Sequence, residues 1–189
     1  MIFFDEHTKT FYLESKNVSY IFCVNECGFL NHLYYGKRIS REDLSHTVYL
    51  VDRGHGSNIA GKWRDKSLNV YANECPAYGR SDYRESMLAF DFDGVRVGDF
   101  VYSGYTIYDK KPTLEGLPSV RGNQTLEIIL KDDLHGAKVS LYYTVFEDLP
   151  VILRHAKIEN ESEKPFILDR AYSFCVDMPD KEWQAITLP

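Results

Sequence analysis

An all-β, antiparallel two-sheet sandwich is the fold class this sequence predicts. Three observations carry it. The last third breaks into apolar, alternating runs of strand length separated by short turns. Val, Ile, Thr and aromatic residues are frequent, with 14 Tyr and 11 Phe in 189 residues, a composition that suits a pleated, half-buried surface. No stretch keeps an apolar period of 3.6 residues over three helical turns. Aromatic side chains dominate β cores whatever the function, so their enrichment reads first as core and cross-strand pairs and second as a surface for sugar stacking. The length suits one domain, expected to span 1–189.

In chain order, Lys9 to Glu26 reads as a hairpin, with Phe11 and Leu13 on one arm, Val18, Tyr20 and Phe22 on the other, and Ser15-Lys16-Asn17 as the turn. Gly28 to Gly36 follows as a third strand bracketed by glycines, making a meander in which His32 is a half-buried strand residue. Between Ser40 and Ser67 the alternation fails, and only His46 to Val51 has the makings of a short strand. A loop of this length inside a domain is either a solvated excursion or a functional one, and its Asp52, Arg53, His55 and Trp63 are groups that can bind a polyol. Beyond it, Met87–Phe92 and Val95–Val97 flank Asp93-Gly94, a strong hairpin signal. Phe100 to Asp109 is an aromatic strand, and a proline and glycine loop runs through Lys111-Pro112 to Leu117-Pro118. Four strands close the chain: Thr125–Leu130, Lys138–Phe146, Val151–Ile158 and Phe166–Leu168.

Composition excludes several classes. The formal net charge is −6 and the basic residues form no stripe, so nucleic acid is not an expected partner. No apolar run approaches membrane-spanning length and Met1-Ile2-Phe3-Phe4-Asp5-Glu6 lacks the basic start of a signal peptide, so a soluble, cytoplasmic protein is expected. Cys23, Cys27, Cys75 and Cys175 include no Cys-x-x-Cys pair. Cys23 and Cys27, taken as one strand, stand about 13 Å apart, too far for a disulfide. Neither a metal nor an organic cofactor is expected.

The phosphate loop, the Gly-x-Ser-x-Gly nucleophile elbow and the His-Glu-x-x-His zinc motif are all missing. The paired carboxylates Asp132-Asp133 and Glu147-Asp148 fall at hairpin turns, where Asp suits the backbone and is expected to be solvated. The most distinctive stretch is Glu74-Cys75-Pro76-Ala77-Tyr78-Gly79-Arg80-Ser81-Asp82-Tyr83-Arg84. It concentrates a fixed φ, a permissive glycine and four charges in a bend between strands. Asp82 and Arg84, two apart on an extended segment, face one side and can pair with each other or with Glu74 and Arg80.

Three separated motifs carry a resemblance. Glu74-x-Pro76-x-Tyr78-Gly79-x-x-Asp82-Tyr83-Arg84, the preceding Leu50-x-Asp52-Arg53, and the later Ile107-Tyr108-x-x-Lys111-Pro112-x-Leu114-x-Gly116-Leu117-Pro118 are similar to the N-terminal region of bacterial α-galactosidases of glycoside hydrolase family 36. The similarity runs over essentially the whole chain. It implies a β-supersandwich, followed in that family by a (β/α)₈ barrel that supplies an aspartate nucleophile and an aspartate acid/base for retaining hydrolysis of α-galactosides such as melibiose and raffinose. It implies that the catalytic residues lie beyond Pro189, that this chain is part of a longer enzyme and inactive alone, and that the parent forms a homo-oligomer, a tetramer in the family. In such tetramers the aspartate at the position of Asp52 reaches a neighbouring active site and bonds galactose. Trp63 is a second, weaker substrate-binding candidate by its place in the same loop. Glu74, Tyr78, Gly79, Asp82 and Arg84 are then the structural or interface signature. The departure is Glu85-Ser86-Met87 after Arg84, which unsettles the path of the next strand. Two other readings stay open: a free-standing carbohydrate-binding sandwich, and a purely structural interaction domain.

Overall fold

A computed structural model of the chain describes residues 1–48, 58–59, 61–79, 82–114, 120–178, 181–184 and 186. Four strands, β1 (Ile2–Asp5), β2 (Thr10–Glu14), β3 (Val18–Val24) and β4 (Leu30–Lys37), form an antiparallel meander in the order β1-β2-β3-β4. A second meander, β6-β7-β8-β9, is built from β6 (Val101–Tyr108), β7 (Thr125–Asp132), β8 (Ala137–Val145) and β9 (Ile152–Asn160). Between them in sequence lies β5 (Leu88–Asp91), which pairs antiparallel with β10 (Ile167–Ala171). The all-β, antiparallel sandwich read from the sequence is the observed fold.

The period of two decides which residues fill the space between the sheets. Phe11, Leu13, Tyr20 and Phe22 from the first sheet meet Leu126, Ile128, Val139, Leu141, Tyr143 and Val145 from the second in one buried cluster. Phe22 and Tyr143 bring their ring centroids to 5.1 Å across the two sheets. At the sandwich edge Ile2 N donates to Gln124 Oε1 at 2.9 Å and Lys16 N donates to the Phe146 carbonyl at 3.1 Å, so the meanders are joined by hydrogen bonds as well as packing. β2 is buried on both faces because residues 38–44 cross its outer side: Tyr12 Oη donates to the Glu42 carbonyl at 2.7 Å, and Arg38 and Arg41 both bind Glu14.

The structure departs from the sequence reading in five places. β1 was not anticipated, because four residues ending in Asp5 carry too short a pattern to register as a strand. Asp93 and Gly94 do form the turn, both at positive φ (58° and 88°), but only the Phe92–Val95 bridge follows it, and β5 takes β10 as its ladder partner instead. The last expected strand therefore leaves the second meander. Where His46 to Val51 has the makings of a short strand, Ser45–Thr47 is a 3-10 turn and 49–51 lie outside the described residues; Leu68–Val70 is another 3-10 turn. Cys27 sits in the turn after β3, not on the strand with Cys23. Asp132 is buried rather than solvated, because its carboxylate accepts from the backbone N–H of Asp99, Leu134 and His135 and from His135 Nδ1.

Candidate functional site

The signature stretch divides into two devices. Glu74 belongs to the first. An antiparallel bridge from Asn73 to Asn31 and a bond from Glu74 N to the Leu30 carbonyl (3.1 Å) lay its backbone against the start of β4. From there the carboxylate enters the sandwich and is fully buried. It receives Tyr20 Oη from β3 at 2.7 and 2.8 Å, His32 Nδ1 from β4 at 2.8 Å and Tyr143 Oη from β8 at 2.9 Å. Arg154 on β9 stands 3.2 Å from Oε2 and also donates to the Glu74 backbone carbonyl. One side chain is thus held by four strands, two from each sheet.

Burial acts to raise the Glu74 carboxyl, yet the Arg154 guanidinium and the hydrogen bonds from His32 and Tyr20 outweigh it and hold the group below its ordinary value. The same burial and the same negative charge push the Tyr20 phenol well up; Tyr143 is pushed up by burial too, with Arg154 opposing and Glu74 adding to the rise. A carboxylate with every neighbour a donor and no exposed surface cannot reach a substrate. Its chemistry is cohesion.

Asp82 and Arg84 make the second device, and of the pairings open to them they take each other. Arg84 Nε and Nη2 reach Asp82 Oδ1 and Oδ2, both at 3.0 Å, a bidentate pair. The guanidinium also donates to the carbonyls of Tyr71 (2.7 Å) and Leu68 (3.3 Å), fastening the 3-10 turn Leu68–Val70. Its ion pair with Asp82 leads the causes that raise the Arg84 pKa. Reciprocal 3.0 Å backbone bonds close Gly79 onto Asp82, and at φ +120° with Val97 against its Cα, position 79 admits only glycine without strain. Tyr78 and Tyr83, both exposed, lie edge to face at 5.7 Å.

The fastened turn leads to Trp63. Leu68 and Tyr71 belong to a small second core with Cys27, Phe29 and Ile59, and half-buried Trp63 packs on it. Lys62 Nζ lies 4.4 Å from the Trp63 ring centroid. Arg84 and Trp63 are therefore linked through one packed cluster, whereas Glu74 is tied elsewhere. Asp52 lies outside the described residues, as do Arg80 and residues 115–119 of the proline and glycine loop. Among the described residues no group of His, Cys, Asp and Glu is disposed to hold a metal ion, and no helix is long and apolar enough to cross a membrane.

Tyr20, Tyr143 and Arg154, missed as site residues in the sequence, gave no local signal: each reads as an ordinary strand residue, and they meet Glu74 from 54, 69 and 80 positions away. The same three residues line a cavity of about 340 Å³ that opens between the sheets, with Tyr35, Phe174 and Met178 around it.

Comparison with known proteins gives this architecture a family. Residues 28–189 match the glycosyl hydrolase family 36 N-terminal domain. The α-galactosidase AgaA of Geobacillus stearothermophilus is 34% identical over 98% of this chain and 26% of its own length. The crystal structure of the α-galactosidase AgaB from the same organism superposes with a TM-score of 0.87 at 34% identity, covering 95% of this chain and 25% of that one. A variant of AgaA solved in complex with raffinose gives 0.84 at 35% identity, over 90% of this chain and 25% of that one. This chain spans about a quarter of the length of the α-galactosidases it matches. Sequence match and superposition agree on the same sandwich: the chain belongs to the glycosyl hydrolase family 36 N-terminal domain family.

Proposed function

We propose that the chain serves as the N-terminal β-sandwich part of an α-galactosidase that hydrolyses terminal α-galactosides with retention, and that it is not catalytic alone. The observation that carries this reading is the continuous similarity of nearly the whole chain to one quarter of AgaA, an α-galactosidase. In the retaining mechanism two carboxylates face each other across the scissile bond, about 5 Å apart. Glu74 is buried and enclosed by Tyr20, His32, Tyr143 and Arg154, so it is not a member of such a pair, and on this reading the pair is supplied by a barrel outside this chain.

The domain's part in the reaction, on this reading, is support. Asp52 binds a galactose hydroxyl in a neighbouring subunit of a homo-oligomer, Trp63 is a second and weaker substrate contact, and the Asp82–Arg84 clip sets the cluster on which Trp63 rests. Glu74, Tyr78 and Gly79 shape the bend that leads into that clip.

The test uses the purified 189-residue chain and a chimera in which it replaces the matched quarter of AgaA. The isolated chain is expected to leave p-nitrophenyl α-galactoside intact and to give no calorimetric signal with galactose or raffinose, and the chimera to hydrolyse the substrate. In the chimera Asp52→Ala lowers kcat/KM about fivefold, the worth of one hydrogen bond of about 1 kcal/mol. Hydrolysis by the isolated chain overturns the division of labour. Sugar binding by it favours a free-standing carbohydrate-binding module.

A further inference from the structure

The stretch 49–57, which carries Asp52, leaves and rejoins the fold at one place. Val48 before it, and Ile59 and Trp63 after it, pack on the small second core around Leu68 and Tyr71. The returning limb is firmly closed. Ile59 N donates to the Lys66 carbonyl at 2.7 Å, and Arg84 holds the carbonyls of Leu68 and Tyr71. The incoming limb is held differently: none of residues 38–47 is buried, so polar bonds and not a core set its course.

Those bonds converge on Glu14, the last residue of β2. Its carboxylate is 5% exposed and receives Arg41 Nε on Oε1 at 2.7 Å, Arg41 Nη2 on Oε2 at 2.9 Å and Arg38 Nη2 on Oε2 at 2.7 Å. Arg41 also lies over the Phe3 ring, 5.1 Å from its centroid. Tyr12, on the same strand, holds the Glu42 carbonyl, and the turn Ser45–Thr47 then delivers the limb to Val48. A carboxylate out of water beside arginines that are 34% and 51% exposed adds little net stability. What a guanidinium fork does add is a fixed distance and a fixed orientation.

We propose that Glu14, acting through Arg41, is a positioning residue for α-galactoside binding: it fixes the incoming limb of the Asp52 loop as the Asp82–Arg84 clip fixes the returning one. This inference rests on the reading of Asp52 as a substrate contact. A hydrogen bond needs its heavy atoms within about 3.2 Å and well aligned. A loop released at one end therefore loses the contact while the contacting residue stays intact. The contact is to a sugar hydroxyl and not to the bond that breaks, so it acts alike on bound substrate and transition state, and its loss raises KM and spares kcat. The loss on releasing the limb cannot exceed the loss on removing Asp52 itself.

Two preparations test it, the AgaA chimera and the 189-residue chain. In the chimera Arg41→Met and Glu14→Gln are each expected to raise KM for p-nitrophenyl α-galactoside about threefold with kcat unchanged, short of the roughly fivefold loss in Asp52→Ala. In an Asp52→Ala background neither adds a further loss. Arg41→Lys keeps the charge without the fork and keeps the raised KM. Val139→Ala, a truncation of a fully buried side chain on β8, lowers the melting midpoint and leaves KM alone, which separates position from stability. In the isolated chain native-state trypsin cleavage after Arg53 speeds at least about threefold in Arg41→Met and not in Val139→Ala. An unchanged KM in Arg41→Met and Glu14→Gln, or losses that add to that of Asp52→Ala, overturns the positioning role and keeps Asp52 as a contact. Unchanged kinetics in Asp52→Ala remove the contact, and the positioning role with it, while an active chimera keeps the N-terminal reading. An inactive chimera counts against that reading, and the trypsin rates then decide the anchor: faster cleavage after Arg53 in Arg41→Met upholds it and an unchanged rate overturns it.

Discussion

Glu74 and Arg154 form an ion pair of 3.2 Å with side chains 0% and 8% exposed, although 80 residues separate them. The pair joins the bend after β4 to the outer strand of the opposite sheet. Its two charges are out of water, so neither has solvent to fall back on when the other is lost.

Glu74→Gln is expected to destabilise the domain by about 3–5 kcal/mol, the range for removing one partner of a buried pair. The loss is read from urea unfolding of the chain. Glu74→Gln and Arg154→Met together lose less than the sum of the single changes, because the double variant buries no unmatched charge. Additive losses in that cycle refute the coupling.

Arg84 is held by Asp82 on one side and by two backbone carbonyls on the other, so Arg84→Ala removes four hydrogen bonds at once. The side chain is 38% exposed, which discounts their worth, and a loss of about 1–2 kcal/mol is expected. Arg84→Lys does not restore it, since a point charge cannot make the bidentate pair and also reach Tyr71. The variants shift Trp63 emission through the shared cluster, with Trp63→Phe as the control that separates it from Trp183. Emission unchanged in Arg84→Ala counts against the link.

What the sequence made legible was everything governed by short-range period. The alternation from Thr125 to Ile158 located β7, β8 and β9, and Asp93-Gly94 located its turn. The spacing of Asp82 and Arg84 placed both on one side, where they do pair. The partners of Glu74 were not legible, because a carboxylate at a bend gives no sign of whether it points to water or to strands 42 to 80 positions away. Asp132 failed for the same reason: the donor that draws it inward is the Asp99 amide, 33 positions upstream. The choice of β10 by β5 was likewise set by which edge the fold leaves free, and no local pattern encodes that.

Stability is expected to fall in two stages as pH drops. His155 stacks on Tyr142 with ring centroids 4.6 Å apart, and burial, then the charge of Lys111, lowers its pKa from 6.5. A folded state that resists protonation binds fewer protons than the unfolded chain, so stability starts to fall as pH passes below 6.5. The second stage begins below 4.5 with the depressed carboxyls. Glu14 is held down chiefly by Arg41, while at Glu127 burial opposes and the Tyr108 and Tyr142 phenols prevail. Their stabilisation is present above 4.5 and lost as pH falls through their folded values. Melting midpoints against pH are expected to lose the upper slope in His155→Gln and to keep the lower one. Since the variant also loses the ring stack, the slope is the readout, and an unchanged upper slope clears His155 of the role.

The thiols provide a probe of how the two halves of the core open. Cys23 and Cys75 are buried, and burial pushes both up to about 12, so at pH 8 about one in ten thousand is thiolate even before access is considered. Cys175 is half-buried, with burial again the leading cause of its raised pKa, and it belongs to the segment whose side chains line the exposed cavity. Alkylation of the native chain followed by mass spectrometry is therefore expected to mark Cys175 first. Cys75, buried in the main core and next in sequence to Glu74, reacts only as fast as the sandwich opens. Glu74→Gln accelerates it roughly in proportion to the lost stability when opening is fast relative to alkylation. Cys23 lies on β3 within the first meander and follows the same opening, whereas reaction at Cys175 depends on the local segment and changes little. Rapid labelling of Cys75 in the native chain, or a variant that speeds Cys175 and not Cys75, is the result incompatible with Glu74 as the tie between the sheets.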